Sequence, residues 1–122
     1  MKTFDSWAWI EYLKGSKAGA IVRAMVESDE VLSTPAVCLA EIKGKYLSEG
    51  RDPEDPLRFV KSRTSIIDTD AGVAEEAADL KFDHGLHMVD ALVLACARTL
   101  AADLVTGDRH FRGIDGVVML ES

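Results

Sequence analysis

The segment LVTGDRHF, Leu104–Phe111, begins like a buried strand, stops at Gly107 and places Asp108 where the apolar run surfaces. One such acid has an ordinary explanation, because Asp is a common turn former and helix N-cap. The arrangement recurs, however, in KTFDSW, where Asp5 stands at the mouth of a short strand-like stretch over Lys2–Phe4. Between these two points, apolar spacing and turn residues predict alternating elements. Helices are expected over Ser6 to Gly15, Lys17 to Glu27, Ala36 to Ser48, from about Pro56 to Ser62, Gly72 to Phe82 and Met88 to Leu100. Strands are expected over Val31–Ser33, in SIID and DLVTG, and, after the turn DRHFRGIDG, in VVML. Pro35 suits the first turn of the helix that follows it. In the second helix Ile21, Ala24, Met25 and Ser28 fall roughly on one face, and in the fifth Val73, Ala77 and Leu80 do so. Alternation of this kind predicts an α/β protein with a mainly parallel sheet. Ligands of open α/β sheets bind beyond the carboxyl ends of the strands, where Asp5 and Asp108 would both lie.

The chain of 122 residues is expected to form one domain over 1–122. With 48% apolar and 29% charged residues it has the means to bury a core and stay in solution. No apolar run approaches the roughly 18 to 20 residues that span a bilayer, and Lys2 is followed by a mixed sequence instead of a secretory h-region. A cytoplasmic protein without membrane contact is expected. Cys38 and Cys96 fall in predicted buried helices, where cysteine acts as a small hydrophobe, so neither a disulfide nor a thiolate metal site is expected. The net charge of −7, from 21 acids and 14 bases, argues against a protein that grips nucleic acid through a basic face alone. A nucleic-acid enzyme whose acids are gathered around divalent cations remains compatible with it.

Two further acids need explaining. In MVDALVLACA, Val89, Leu92, Val93, Cys96 and Leu100 form a stripe, and Asp90 is the only charge in the segment. An unpaired carboxylate buried there would cost several kcal/mol or stay protonated. Either the free N–H groups of the first helical turn, with His87 near the N-cap, compensate it, or a cation does. Glu41, in AVCLAEIKGKY, borders the stripe of Cys38, Ile42 and Tyr46; it is either a surface residue paired with Lys45 at i, i+4 or a second functional acid. If Asp5, Glu41, Asp90 and Asp108 converge, they repel one another unless cations intervene. Oxygen-only ligands suit Mg²⁺ or Mn²⁺. Zinc fits less well, because His84, His87 and His110 lack a ligand spacing and no cysteine pair supports one.

These segments resemble the PIN domains, in particular the VapC-type toxins of toxin–antitoxin pairs. FDSWAWIEYL is similar to the first motif of that family, AVCLAEIKGKY to the second, GLHMVDALVLACA to the third, and LVTGDRHF, through Thr106, Asp108 and Phe111, to the fourth. The first motif departs from the common pattern, since the bulky Trp7 follows Ser6 where a small residue is usual. Trp7 either packs in the core beside Ile10 or shapes the rim of a cleft. The resemblance implies a three-layer α/β/α fold and a metal-dependent ribonuclease. Its catalytic residues would be Asp5, Glu41, Asp90 and Asp108, supported by Ser6 and Thr106. Asp5, Asp90 and Asp108 would hold Mg²⁺ or Mn²⁺ directly, and Glu41 would act through water or orient the nucleophile. It further implies an RNA substrate, a VapB-type antitoxin whose basic side chain enters the acidic cleft, and a homodimer. The helices over Lys17–Glu27 and Ala36–Tyr46 are candidate docking surfaces for the antitoxin.

Arg109, His110 and Lys43 are candidate RNA contacts; each is also an ordinary solvated residue. Lys45 belongs with Lys43, and Trp9 and Tyr12 either stack on bases or pack in the core. Asp115 reads as a turn residue. Two readings from other classes stand beside the nuclease: a phosphoacceptor receiver domain with Asp68 at the end of SIID, and a catalytically silent interaction module.

Overall fold

In a computed structural model, which describes residues 1–121, five short strands and six helices follow one another in the predicted alternation. The strands are β1 (Lys2–Phe4), β2 (Leu32–Pro35), β3 (Ser65–Ile67), β4 (Asp103–Thr106) and β5 (Val117–Met119). They form one fully parallel sheet in the order β3-β2-β1-β4-β5. Register is set at the centre by Lys2 facing Leu32 on one side and Asp103 on the other, with Phe4 facing Val105.

The first half of the chain builds outward from β1 in one direction. It does so through α1 (Ser6–Lys14), α2 (Lys17–Val26), α3 (Ala36–Ser48) and α4 (Glu54–Arg63). The chain then crosses back by α5 (Ala71–His84) and α6 (Met88–Thr99) and places β4 on the far side of β1. Parallel crossovers are right-handed, so reversing the winding direction puts the two helix sets on opposite faces. Two cores result. Phe4, Ala8, Trp9, Val22, Ile42, Val60 and Val105 fill one, and α5 and α6 with Leu104 and Phe111 fill the other. Leu104 and Val105, neighbours in one strand, face opposite cores as the pleat requires. The expected three-layer α/β/α arrangement is therefore present.

Local chemistry explains the element ends. Asp5, Ser16 and Asp70 cap α1, α2 and α5 by accepting backbone N–H groups. Gly15 and Gly85 end α1 and α5 in the left-handed conformation that glycine adopts at little cost. Arg63 donates to the carbonyls of Val26, Ser28 and Glu30 and so ties the α2–β2 connection to the end of α4.

Three local expectations are corrected. Pro35 is the last residue of β2 and the N-cap of α3, one position before the first helical turn. The buried face of α2 is Ala18, Gly19, Val22 and Val26, whereas Ile21 is 48% exposed. The reason lies in α1: a Cβ on Gly19 would stand 2.1 Å from the Glu11 carbonyl oxygen, so this glycine fixes which side of α2 meets its neighbour. In α6, Ala91, Val93, Leu94, Ala95, Cys96 and Ala97 are buried while Val89 and Leu100 reach the surface. The α5 face of Val73, Ala77 and Leu80 is buried as its spacing predicts. Cys38 and Cys96 are buried free thiols. Among the described residues no helix is long and apolar enough to cross a membrane.

Candidate active site

The strand order reverses between β1 and β4, and it is at such a switch point that an open α/β sheet leaves a crevice beyond its strand ends. Asp5 is the residue after β1, and Asp108 lies two residues beyond β4. A hydrogen-bonded chain joins them across the crevice. The Thr106 hydroxyl donates to Asp5 Oδ2, and Thr106 Oγ1 accepts the Asp108 N–H at 3.0 Å. The other oxygen of Asp5 accepts the Ala8 N–H at 2.9 Å, so this acid also starts α1. Asp5 is only 5% exposed. Burial pushes its pKa up to about 7 against the pull of the Thr106 and Ala8 hydrogen bonds, and the charges of Asp108 and Glu41 raise it further.

The other two acids arrive from helices. Glu41 accepts a hydrogen bond from the Ser6 hydroxyl at 2.9 Å, which links the start of α1 to α3. Lys45 pairs with Glu49 at 3.0 Å, so the alternative of a Glu41–Lys45 surface pair is set aside. Desolvation raises the Glu41 pKa; the Ser6 hydroxyl lowers it, and Asp90 and Asp108 add to the rise. Asp90 sits in the first turn of α6, after the N-cap His87. Its carboxylate takes a hydrogen bond from His110 at 3.2 Å rather than from a helical N–H. Desolvation again raises its pKa, followed by the charge of Asp108, with His110 and His87 opposing. These mutual effects mark the four acids as one electrostatic cluster.

His110, which the sequence offers as an RNA contact beside the site, lies among the acids themselves. Its Nδ1 lies 3.2 Å from both Asp90 Oδ2 and Asp108 Oδ1. Single ligand atoms from Asp90, Asp108 and His110 all fall within 4.8 Å of one another. The turn DRH carried the signal, because Asp108 caps the 3-10 turn Arg109–Phe111 and so turns His110 back toward it. Trp7 was the other open question. It is half-buried against the Trp9 core, and its indole covers Gly107; a Cβ on Gly107 would lie 2.2 Å from the ring. Trp7 thus covers the segment between Thr106 and Asp108.

The remaining candidates separate. Trp9 is fully buried, with its Nε1–H donated to Thr34 at 3.0 Å, and Tyr12 stacks on Phe59. Arg109 is exposed beside Asp108, whereas Lys43 is turned roughly 200° around α3 from Glu41. Asp115 lies in the turn before β5, and Asp68 follows the edge strand β3, two strands away from β1.

A cluster of hard carboxylate oxygens with one imidazole nitrogen, in which the pKa values of Asp5, Glu41 and Asp90 are raised, has the donor chemistry of a divalent-cation site. It fits the ions expected from the sequence. The PIN domain family matches residues 2–117. The chain belongs to the PIN-domain family. Solved structures share this PIN fold over nearly the entire chain. A toxin–antitoxin complex from Klebsiella pneumoniae aligns with a TM-score of 0.83 and 23% identity, covering 98% of this chain and 97% of that one. VapBC2 from Rickettsia felis, bound to a DNA fragment from its promoter, gives 0.75 and 16%, covering 98% of each. VapC20 of Mycobacterium tuberculosis, a sarcin-ricin-loop-cleaving toxin, gives 0.73 and 14%, covering 94% of this chain and 95% of that one. No curated protein sequence matched the chain.

Proposed function

We propose that this PIN domain is a metal-dependent ribonuclease and the toxin of a VapBC-type pair. The observation that carries the reading is the gathering of Asp5, Glu41, Asp90 and Asp108 at the switch point, where their repulsion calls for a cation. Asp90 and Asp108 would hold Mg²⁺ or Mn²⁺ together with Asp5. A bound ion supplies Lewis-acid polarisation of the scissile phosphate and makes water a stronger nucleophile near neutral pH.

The chain's own residues supply position and proton traffic. Thr106 holds Asp5 and Asp108 in a fixed relation, so their carboxylates need little reorganisation. Ser6 donates to Glu41, which would orient the attacking water and receive its proton. Arg109 is exposed next to Asp108 and is the nearest basic residue in sequence for an RNA phosphate.

The fold shared with toxin–antitoxin complexes supports a VapB-type antitoxin as partner, with a basic group entering the acidic crevice. The exposed Ile21 of α2 belongs to a surface on which it would dock. A homodimer and a cytoplasmic location complete the proposal. The receiver alternative loses its support because Asp68 stands at the edge of the sheet, and a silent module has no need of four converging acids.

Cleavage of end-labelled RNA in Mn²⁺, Mg²⁺ and EDTA, with Asp90→Asn prepared in parallel, tests the reading. Metal-dependent cutting that disappears in Asp90→Asn is expected. Cutting that survives EDTA or the substitution, or failure of the protein to bind Mn²⁺, would overturn it.

A further inference from the structure

We infer that His110 is a direct ligand of the ion held by Asp90 and Asp108, which makes this a mixed nitrogen–oxygen centre rather than an all-carboxylate one. The inference rests on the metal-nuclease reading and deepens it. Its basis is the position of one nitrogen between two carboxylates: Nδ1 of His110 lies 3.2 Å from Asp90 Oδ2 and 3.2 Å from Asp108 Oδ1, and single ligand atoms of the three residues all fall within 4.8 Å of one another. Ligands about 2.1 Å from an octahedral ion stand about 3.0 Å apart on adjacent corners, so both separations match edges of one coordination sphere. A proton on Nδ1 serves the two carboxylates poorly, because a single N–H points well at only one of them. An ion in its place satisfies all three.

The imidazole is also held for this purpose. Asp108 Oδ1 accepts the His110 backbone N–H at 2.9 Å. The next residue, Phe111, is 1% exposed and anchors the turn in the α5–α6 core. The His87 ring packs edge-on at 5.4 Å and limits rotation of the His110 ring from the other side. Imidazole suits Mn²⁺ and later transition ions better than Mg²⁺. His110 therefore tilts the centre toward those ions.

Pulsed EPR of the Mn²⁺-loaded protein, with calorimetric titration, compares wild type, His110→Gln and His87→Gln. The His110 side chain is 57% exposed, so the substitution leaves the core intact. Directly bound ¹⁴N is expected in wild type and His87→Gln and absent in His110→Gln. Mn²⁺ affinity should fall on the order of 10-fold in His110→Gln, with a smaller change for Mg²⁺. Mn²⁺ bound without a ¹⁴N coupling, or a coupling that persists in His110→Gln, would overturn the assignment and leave the nuclease reading standing. Failure of wild type to bind Mn²⁺ would overturn both.

Discussion

Replacing Asp5 by Asn measures what a buried carboxylate does to this fold. The Asp5 carboxyl is pushed from 3.8 to about 7, first by burial, with Thr106 and Ala8 opposing and Asp108 and Glu41 adding to the rise. The folded state thus holds the proton more tightly than the unfolded chain. The associated stability is complete below about pH 4 and is lost as the pH rises through about 7. A shift of about three units at about 1.4 kcal/mol each corresponds to roughly 4 kcal/mol. Asn caps a helix as well as Asp does, and its carbonyl oxygen is positioned to accept the Ala8 N–H, so the capping contribution cancels; its amide nitrogen cannot accept the Thr106 hydroxyl as Asp5 Oδ2 does, which offsets about 1 kcal/mol of the gain. In EDTA, urea unfolding at about pH 8 should show Asp5→Asn more stable than wild type by about 2 to 4 kcal/mol, and at about pH 4.5 by less than about 1.5 kcal/mol. A gain independent of pH, or a loss at pH 8, would refute the claim that burial opposes ionisation of Asp5.

Other substitutions address neighbouring features. Gly107→Ala brings a methyl group against the Trp7 indole and should cost about 1 to 3 kcal/mol in urea unfolding; introduced into a Trp7→Ala chain, the same substitution should cost less than about 1 kcal/mol relative to Trp7→Ala alone. Gly19→Ala drives a methyl group into the Glu11 carbonyl. A backbone atom cannot turn aside as a side chain can, so a drop of about 3 kcal/mol or more is expected, read as a lower denaturation midpoint. Ser6→Ala removes the hydroxyl bonded to Glu41. It should lower kcat for RNA cleavage by about 10-fold while leaving Mn²⁺ affinity within a factor of about 3, because Glu41 is oriented by Ser6 but Asp90 and Asp108 are not.

The acids at the strand ends were legible because a strand's exit from the core is a local event: Phe4 is buried and Asp5 follows, and Val105 and Thr106 are buried before Asp108. The alternation of elements was legible for the same reason. What periodicity could not supply was the partner surface. In α2, ten residues admit more than one apolar face, and the choice was made by Gly19 meeting the Glu11 carbonyl, a contact between helices. In α6 nearly the whole circumference is apolar, so its spacing could not reveal that Val89 and Leu100 would lie outside. Spacing likewise hid His110, whose contact with Asp90 joins residues 20 positions apart across the turn after β4. The place of Trp7 depends on Gly107, 100 positions away, because the ring approaches that backbone more closely than a Cβ would permit.

The sheet order carries a consequence for the moment at which the crevice comes into being. The hydroxyl that fixes Asp5 belongs to Thr106, 101 positions later, on the strand paired directly with β1. A growing chain halted before β4 can emerge from the ribosome with β1, β2 and β3 complete, yet it carries neither Thr106 nor Asp108. Its first aspartate then has no facing wall. The order of synthesis therefore acts as a delay, keeping the acidic centre unassembled until most of the chain has been made.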